Sequence, residues 1–335
     1  MKQKIRLILL AILPAFSLSC EDDSTDNGLQ VNLTVQSEQS EYSIELIEKL
    51  QSLLDSHASF TENLAELLKR SRSDIRRGIT MQSVKFSYTS SDDCGNSVTL
   101  SAVMAYPAGR FGGPVHSVSS AVLAMPRHLP DEESVFSETG SPMELRASLY
   151  NDLVVIPDVC DGTSDYVLSA RQALDALDYA VRLAGENPDI ALPDNIPVSI
   201  VGFGSNALTA CTSAMMIDEG YYHFRYAKGY SIKSVICAQT ELPVRNAGNS
   251  ALFTALKNWE IRTPVRFLHI IGDETAPYSA LLNFRDFIST VNGNRERIGI
   301  IRKDLQRFSS NAVLFNTKAN LYWLSDVLTN KALEY

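Results

Sequence analysis

Val198-Ser199-Ile200-Val201-Gly202-Phe203-Gly204-Ser205-Asn206-Ala207 joins an apolar run to two glycines and then to a stretch of small residues. Valine and isoleucine are stiff at χ1 and pack well on a pleated surface, so residues 198–201 predict a buried strand. Glycine tolerates a positive φ without steric cost, and two of them in three positions predict a sharp turn. Ala207 and the small residues beyond it predict a helix starting near Asn206. A turn of this shape lifts its central residue above the end of the strand. Here that residue is Gly204, which has no side chain to present.

Outward from this turn, strand and helix patterns alternate, as expected of a mostly parallel sheet covered on both faces. Short apolar runs at 121–124, 153–156, 198–201, 235–238 and 265–271 fit buried parallel strands. Residues 166–183 predict an amphipathic helix, with Leu168, Ala173, Leu174, Leu177, Ala180 and Val181 facing inward. Residues 84–89 and 98–106 alternate around Asp92-Asp93-Cys94-Gly95-Asn96 and predict an antiparallel hairpin. Before it, residues 41–78 predict a helical segment, with Ile44, Leu46, Ile47, Leu50, Leu53 and Leu54 at helical spacing.

Composition bounds the function. The 335 residues are 45% hydrophobic, enough for a large core in one α/β unit spanning about residues 79–335. The formal charge is -9; losing Lys2, Lys4 and Arg6 with a leader leaves 27 basic against 39 acidic residues, a net of -12. A balance this acidic argues against a nucleic-acid partner and against electrostatic docking on anionic lipid.

The N-terminus reads as a secretory leader over residues 1–19. Lys2, Lys4 and Arg6 form a positive region, and residues 7–16 form an apolar stretch too short for a spanning helix. Ser17-Leu18-Ser19-Cys20 resembles a bacterial lipobox, which implies lipidation, palmitate included, at Cys20. Glu21-Asp22-Asp23 resembles the acidic export signal of some surface-exposed Gram-negative outer-membrane lipoproteins. Residues 20–40, rich in Asp, Ser, Gln and Asn, predict a solvated tether. Cys94, Cys160, Cys211 and Cys237 are even in number, so an oxidising compartment permits a disulfide. The apolar surroundings of Cys211 and Cys237 favour buried free thiols acting as small hydrophobes.

The order of elements over residues 80–335 resembles the α/β-hydrolase superfamily, in particular its secreted lipase-, esterase- and peptidase-like members. The resemblance is carried by Ala105-Tyr106-Pro107, by Val154-Val155-Ile156-Pro157-Asp158 with Asp161-Gly162-Thr163-Ser164, and by Thr263-Pro264-Val265 through Gly272-Asp273-Glu274-Thr275-Ala276-Pro277. It implies an α/β fold: a mostly parallel central sheet with helices on both faces and an antiparallel hairpin at its start. It also makes the opening stretch the counterpart of a G-x-S-x-G nucleophile elbow, and Asp273 the counterpart of the catalytic acid.

Such an enzyme needs serine, acid and histidine in that chain order, since imidazole takes the hydroxyl proton and the acid holds the imidazolium. Gly204 stands at the serine position. No histidine follows His269 in this sequence, and Asn316-Thr317-Lys318-Ala319-Asn320 falls where the histidine belongs. Ser205 is a possible substitute nucleophile, one residue off the apex; its structural alternative is to cap the helix at Asn206. His128 follows the strand at 121–124, where an oxyanion loop lies, and it joins Phe203, Ser205, Asp158 and Asp161 as candidate cleft-lining residues. His269 reads as a hydrogen-bonded core residue within its strand, and His57, His116 and His223 as surface residues.

Asp158, Asp161 and Asp165, with Asp273 and Glu274, offer oxygen ligands to a hard cation. No fixed ligand loop accompanies them, so a turn at Asp161-Gly162 and a helix cap at Asp165 are preferred, and no metal or cofactor is expected. Tyr221, Tyr222, Phe224 and Tyr226 form an aromatic cluster suited either to stacking on a sugar or peptide or to packing on the sheet edge. Residues 241–260 are a candidate lid over the cleft.

Two functions follow as expectations. The first is a non-catalytic, lipid-anchored pseudo-hydrolase of the cell envelope, with a small ligand, a glycan or a protein as partner. The second is a lipid-anchored serine hydrolase acting through an unorthodox nucleophile such as Ser205.

Overall fold

The computed structural model describes residues 81–107, 116–125, 147, 151–158, 165–225, 229–238, 240, 250–271, 277–291 and 293–303. The leader, the tether, Cys20, the helical segment at 41–78 and His57 lie outside these residues.

Eight strands form the main sheet: β1 (Met81–Ser91), β2 (Ser97–Pro107), β4 (Ser120–Met125), β5 (Asp152–Pro157), β7 (Ile196–Phe203), β8 (Tyr230–Ala238), β9 (Val265–Ile270) and β10 (Ile298–Lys303). Their spatial order is β1-β2-β5-β4-β7-β8-β9-β10. β2 is antiparallel to both β1 and β5, and every other neighbouring pair is parallel, so β2 alone runs against the rest. This is the mostly parallel central sheet, with an antiparallel hairpin at its start, that was expected above. A two-stranded accessory sheet pairs β3 (His116–Ser117) with β6 (Ile190–Ala191).

The hairpin holds its register from Met81↔Pro107 to Ser91↔Ser97. Asp92 organises its turn, accepting bonds from the Cys94 and Asn96 amides at 2.9 and 2.7 Å, while Gly95 supplies φ +82°. The expected strands all form; β9 stops at Ile270, with Ile271 exposed.

Five helices are described: α1 (Tyr166–Glu186), α2 (Asn206–Asp218), α3 (Ser250–Asn258), α4 (Tyr278–Ile288) and the short α5 (Asn294–Arg297). Of the α1 residues expected to face inward, Ala173, Leu174, Leu177, Ala180 and Val181 are buried, whereas Leu168 is only half-buried. Asp165 caps α1, accepting from the Val167 and Leu168 amides at 3.1 and 2.9 Å. One sheet face, with Leu123, Val155, Ile200, Cys237 and Phe267, forms a continuous core with α1, α2, α3 and α4. Val122, Ile156, Val201, Ile236 and Leu268, at alternating positions on the opposite face, are fully buried as well. Burial on both faces is what unbroken apolar runs in parallel strands require. Among the described residues, no helix is long and apolar enough to cross a membrane.

Buried carboxylates stitch the layers together. Asp175 of α1 accepts from Ser90 Oγ at 2.6 Å and from the Tyr222 hydroxyl at 2.9 Å. Asp178, one turn on, accepts from the Arg225 amide and the Tyr230 hydroxyl, both at 2.9 Å. Phe224 stacks on Tyr230 at 3.7 Å and meets Tyr222 edge-on at 5.2 Å. Of the aromatic cluster after α2, Tyr222 is buried and Phe224 half-buried against it, Tyr221 is exposed, and Tyr226 lies outside the described residues.

The lid expectation is corrected where it can be tested. Residues 250–258 form α3, whose Leu252 and Leu256 belong to the main core and whose Phe253 meets Phe287 of α4 edge-on at 6.0 Å. Trp259 follows, 1% exposed, and donates to Asp218 at the far end of α2 from the elbow. This stretch covers the sheet because its apolar side chains are consumed by the core. Residues 241–249 lie outside the described part.

Candidate active-site elbow

β7 delivers the chain to the turn at Gly204, between the carboxyl ends of β4 and β8: Gly202 is in register with Met125 on one side and Cys237 on the other. The turn is tight. A β-carbon on Gly202 would lie 2.1 Å from the Asn206 carbonyl oxygen and 2.9 Å from the Ala207 Cα, so only glycine fits beneath the first turn of α2. Gly204 is buried, takes φ +60°, and donates its amide hydrogen to the Ala238 carbonyl oxygen at 2.9 Å. An L-residue at this φ carries strain, the kind that nucleophile elbows impose on their central side chain. The elbow expected from residues 198–207 is present, and its apex carries a hydrogen atom where a nucleophile would project.

Ser205 occupies the N-cap position of α2, but with helical φ/ψ of -62° and -34° and no side-chain capping bond. The expected capping role is thereby corrected. A capping side chain needs an extended backbone at its own residue to turn back toward the N2 and N3 amides. Ser205 is half-buried, so its hydroxyl is neither spent on the cap nor fully open to solvent. The first turn of α2 closes on the elbow itself, the Ala207 amide donating to the Gly204 carbonyl oxygen and the Leu208 amide to the Ser205 carbonyl oxygen, both at 3.2 Å, and the positive end of the helix dipole lies at the elbow.

Of the other candidates, Phe203 ends β7 at 3% exposure, leaving little surface for a ligand. Asp158 follows β5, half-buried, with its amide bonded to the Ser101 carbonyl oxygen at 3.0 Å. His128, Asp161, Asp273, Glu274, Cys160 and the segment Asn316-Thr317-Lys318-Ala319-Asn320 lie outside the described residues. Asp165 is committed to capping α1. His223 is exposed, as expected.

His269 is 4% exposed on β9, one position past the Ala238↔Leu268 pair, with its ring 5.0 Å from that of Tyr278. The Arg302 guanidinium lies over the same Tyr278 ring at 4.2 Å. Imidazole, phenol and guanidinium thus fasten the start of α4 to the carboxyl ends of β9 and β10. Sequence reasoning missed this stack because its members are nine and twenty-four residues apart along the chain, as their numbers show.

It also missed Thr240, two residues beyond the carbonyl that holds Gly204. Thr240 is 2% exposed, and its hydroxyl has no hydrogen-bond partner among the described residues. Nothing in the sequence signals it, since a lone threonine after a strand is unremarkable. Among the described residues, one group of metal-ligand type stands together, Asp92, Asp93 and Cys94 at the hairpin turn. Its Asp92 carboxylate already takes three bonds from Cys94 and Asn96, so the group serves the turn.

No protein-family profile and no curated protein sequence matches this chain. Solved structures do match by fold. A Legionella pneumophila protein described as a hydrolase superposes with a TM-score of 0.51 at 12% identity, over 82% of this chain and 95% of that one. The rice cell wall degrading esterase LipA from Xanthomonas oryzae superposes with a TM-score of 0.52 at 12% identity, over 75% of this chain and 90% of that one. At such identity the likeness is one of fold, and the fold it shows is that of the α/β-hydrolases.

Proposed function

We propose that this α/β-hydrolase fold belongs to a lipid-anchored protein of the Gram-negative cell envelope that has given up acyl transfer. Its cleft above the elbow binds a small ligand, a glycan or a protein partner instead. The observation that carries the reading is Gly204, at the apex of an otherwise well-formed elbow with φ +60°. Covalent catalysis at this place requires a nucleophilic side chain, and triad enzymes stripped of the nucleophile or base lose about 10⁶ in turnover. The absence of any histidine after His269 in the sequence supports the same reading. What the elbow retains is the amino end of α2, which favours a carbonyl or anionic group on the ligand.

The lipid anchor rests on Lys2, Lys4, Arg6, the apolar stretch and the lipobox at Cys20. Labelled palmitate fed to a Gram-negative host should enter the wild-type chain and not Cys20→Ser. Equal labelling of both would remove the anchor from the proposal.

One observation favours a second reading. Ser205 is beside the apex, half-buried, with a hydroxyl not used in capping, and the Xanthomonas protein of like fold is an esterase. On this reading Ser205 would attack an ester carbonyl. A fluorophosphonate probe separates the two: no adduct is expected on the purified chain, and an adduct mapped to Ser205 would establish the second at the expense of the first.

A further inference from the structure

Cys211 of α2 and Cys237 of β8 bring their sulfur atoms to 3.3 Å inside the core. Neither residue exposes any surface, and neither is bonded to another cysteine. The Cys237 sulfur also faces the Ala207 carbonyl oxygen at 3.5 Å, and Cys237 is the register partner of Gly202. The pair therefore sits directly under the elbow, bridging its helix to the neighbouring strand. A disulfide brings sulfurs to about 2.05 Å, so closure asks for a movement of about 1.3 Å, the scale of a small side-chain rotation.

We infer that Cys211 and Cys237 are joined by a disulfide when the chain folds in an oxidising compartment, fixing α2 to β8 beneath the elbow. Where the bond forms in the cell rests on the envelope location proposed above; whether it forms rests on the geometry alone. Burial also dictates when. In the folded protein no oxidant reaches either sulfur, and burial pushes the Cys237 thiol well above its ordinary range, leaving little thiolate. The bond must close while the segment is still open.

One cysteine thiolate attacks the disulfide of an oxidant, a low-molecular-weight disulfide or an oxidoreductase, and expels one thiol. The second thiolate then attacks the chain sulfur of the mixed disulfide and expels the other. The two cysteines lose two protons and two electrons, and the oxidant leaves as two thiols. The closed loop spans the segment that carries Tyr222 and Tyr230, which α1 already holds through Asp175 and Asp178.

The test has a cellular and a refolding arm. The full chain, made with its own leader in a Gram-negative host, is quenched in acid, its free thiols are alkylated, and its peptides are mapped without reductant. The linked peptide pair containing Cys211 and Cys237 is expected, with both sites refractory to alkylation until reduced. The full chain unfolded in denaturant is separately refolded in oxidised and reduced glutathione, where the same link should form. After refolding, its folding equilibrium constant should fall about a hundredfold on reduction, and a Cys211→Ser/Cys237→Ala chain should show no such response. Linkage in refolding but not in cells counts against the envelope location. Free thiols at both positions after oxidative refolding overturn the inference, whatever the location.

Discussion

Gly202 lies so close beneath the first turn of α2 that a β-carbon there would stand 2.1 Å from the Asn206 carbonyl oxygen. Backbone on both sides of this contact leaves no flexible side chain to give way. Gly202→Ala should therefore cost about 2–3 kcal/mol, the upper part of the range for forced overpacking. Gly204→Ala meets a different penalty, the strain of an L-residue at φ +60°, of about 1–2 kcal/mol. Urea unfolding should rank wild type above Gly204→Ala and Gly204→Ala above Gly202→Ala. A Gly202→Ala chain as stable as wild type would mean that the elbow does not approach its strand this closely.

Gly204→Ser returns a hydroxyl to the apex without returning a base. Serine stays neutral and weakly nucleophilic unless an imidazole removes its proton. The variant should fold with the modest loss given for alanine and stay unlabelled by a fluorophosphonate probe. Labelling of position 204 in this variant would reveal a working base near the elbow, and the pseudo-hydrolase reading would fail on that result.

The elbow was legible because its signal is local: β-branched residues, two glycines and small residues within ten positions. The parallel strands were legible for a similar reason, each being an apolar run long enough to be buried on both faces. β10 was not foreseen, since Ile298–Lys303 mixes Gly299, Arg302 and Lys303 with half-buried isoleucines at the sheet edge. What sequence reading could not supply were pairings between distant residues. Tyr222 reads equally well as a sugar platform or as packing until Asp175, 47 residues earlier, is seen to take its hydroxyl. Cys211 and Cys237 read as two unrelated apolar thiols until the fold sets them 3.3 Å apart. Ser205 misled in the other direction, because residue preference suggests a cap and the helical backbone at that position forbids it.

Asp175 gives the fold a pH dependence with a definite sign. Burial raises its carboxyl above the ordinary 3.8, and the bonds from Ser90 and Tyr222 oppose that rise without cancelling it. A carboxyl raised by folding binds its proton more tightly in the folded chain than in the unfolded one. Its contribution is complete below the unfolded value and is lost as pH climbs through the folded value. Asp175→Asn keeps an acceptor for Tyr222 and offers Ser90 a donor, yet cannot ionise. The stability difference between the variant and wild type should therefore shift in the variant's favour from pH 3.8 upward and level off above the folded value. Urea midpoints measured across that window would refute the assignment if the difference stayed flat or moved the other way.

Asp218 closes the end of the molecule opposite the elbow. Its Oδ2 accepts from Trp259 Nε1 at 3.0 Å, from the Arg262 amide at 2.9 Å and from the Thr263 amide at 3.3 Å, while Oδ1 accepts from Thr263 Oγ1 at 3.0 Å. Trp259 and Thr263 are buried, so removing the carboxylate strands donors that water cannot reach. Asp218→Ala should cost about 3 kcal/mol or more, at about 1–3 kcal/mol for each buried donor left unpaired. Asp218→Asn is gentler. Its amide oxygen can take the Oδ2 position, and its NH₂ can donate to the Thr263 hydroxyl, which accepts as readily as it donates. The loss there should be about 1 kcal/mol, the difference between a charge-assisted and a neutral acceptor. Denaturant unfolding followed by tryptophan emission in a Trp323→Phe background reads both variants, since the Trp259 ring is 1% exposed in the native chain and reddens on exposure to water. Equal losses for alanine and asparagine would show that the side chain acts by its charge and not by the bonds it accepts.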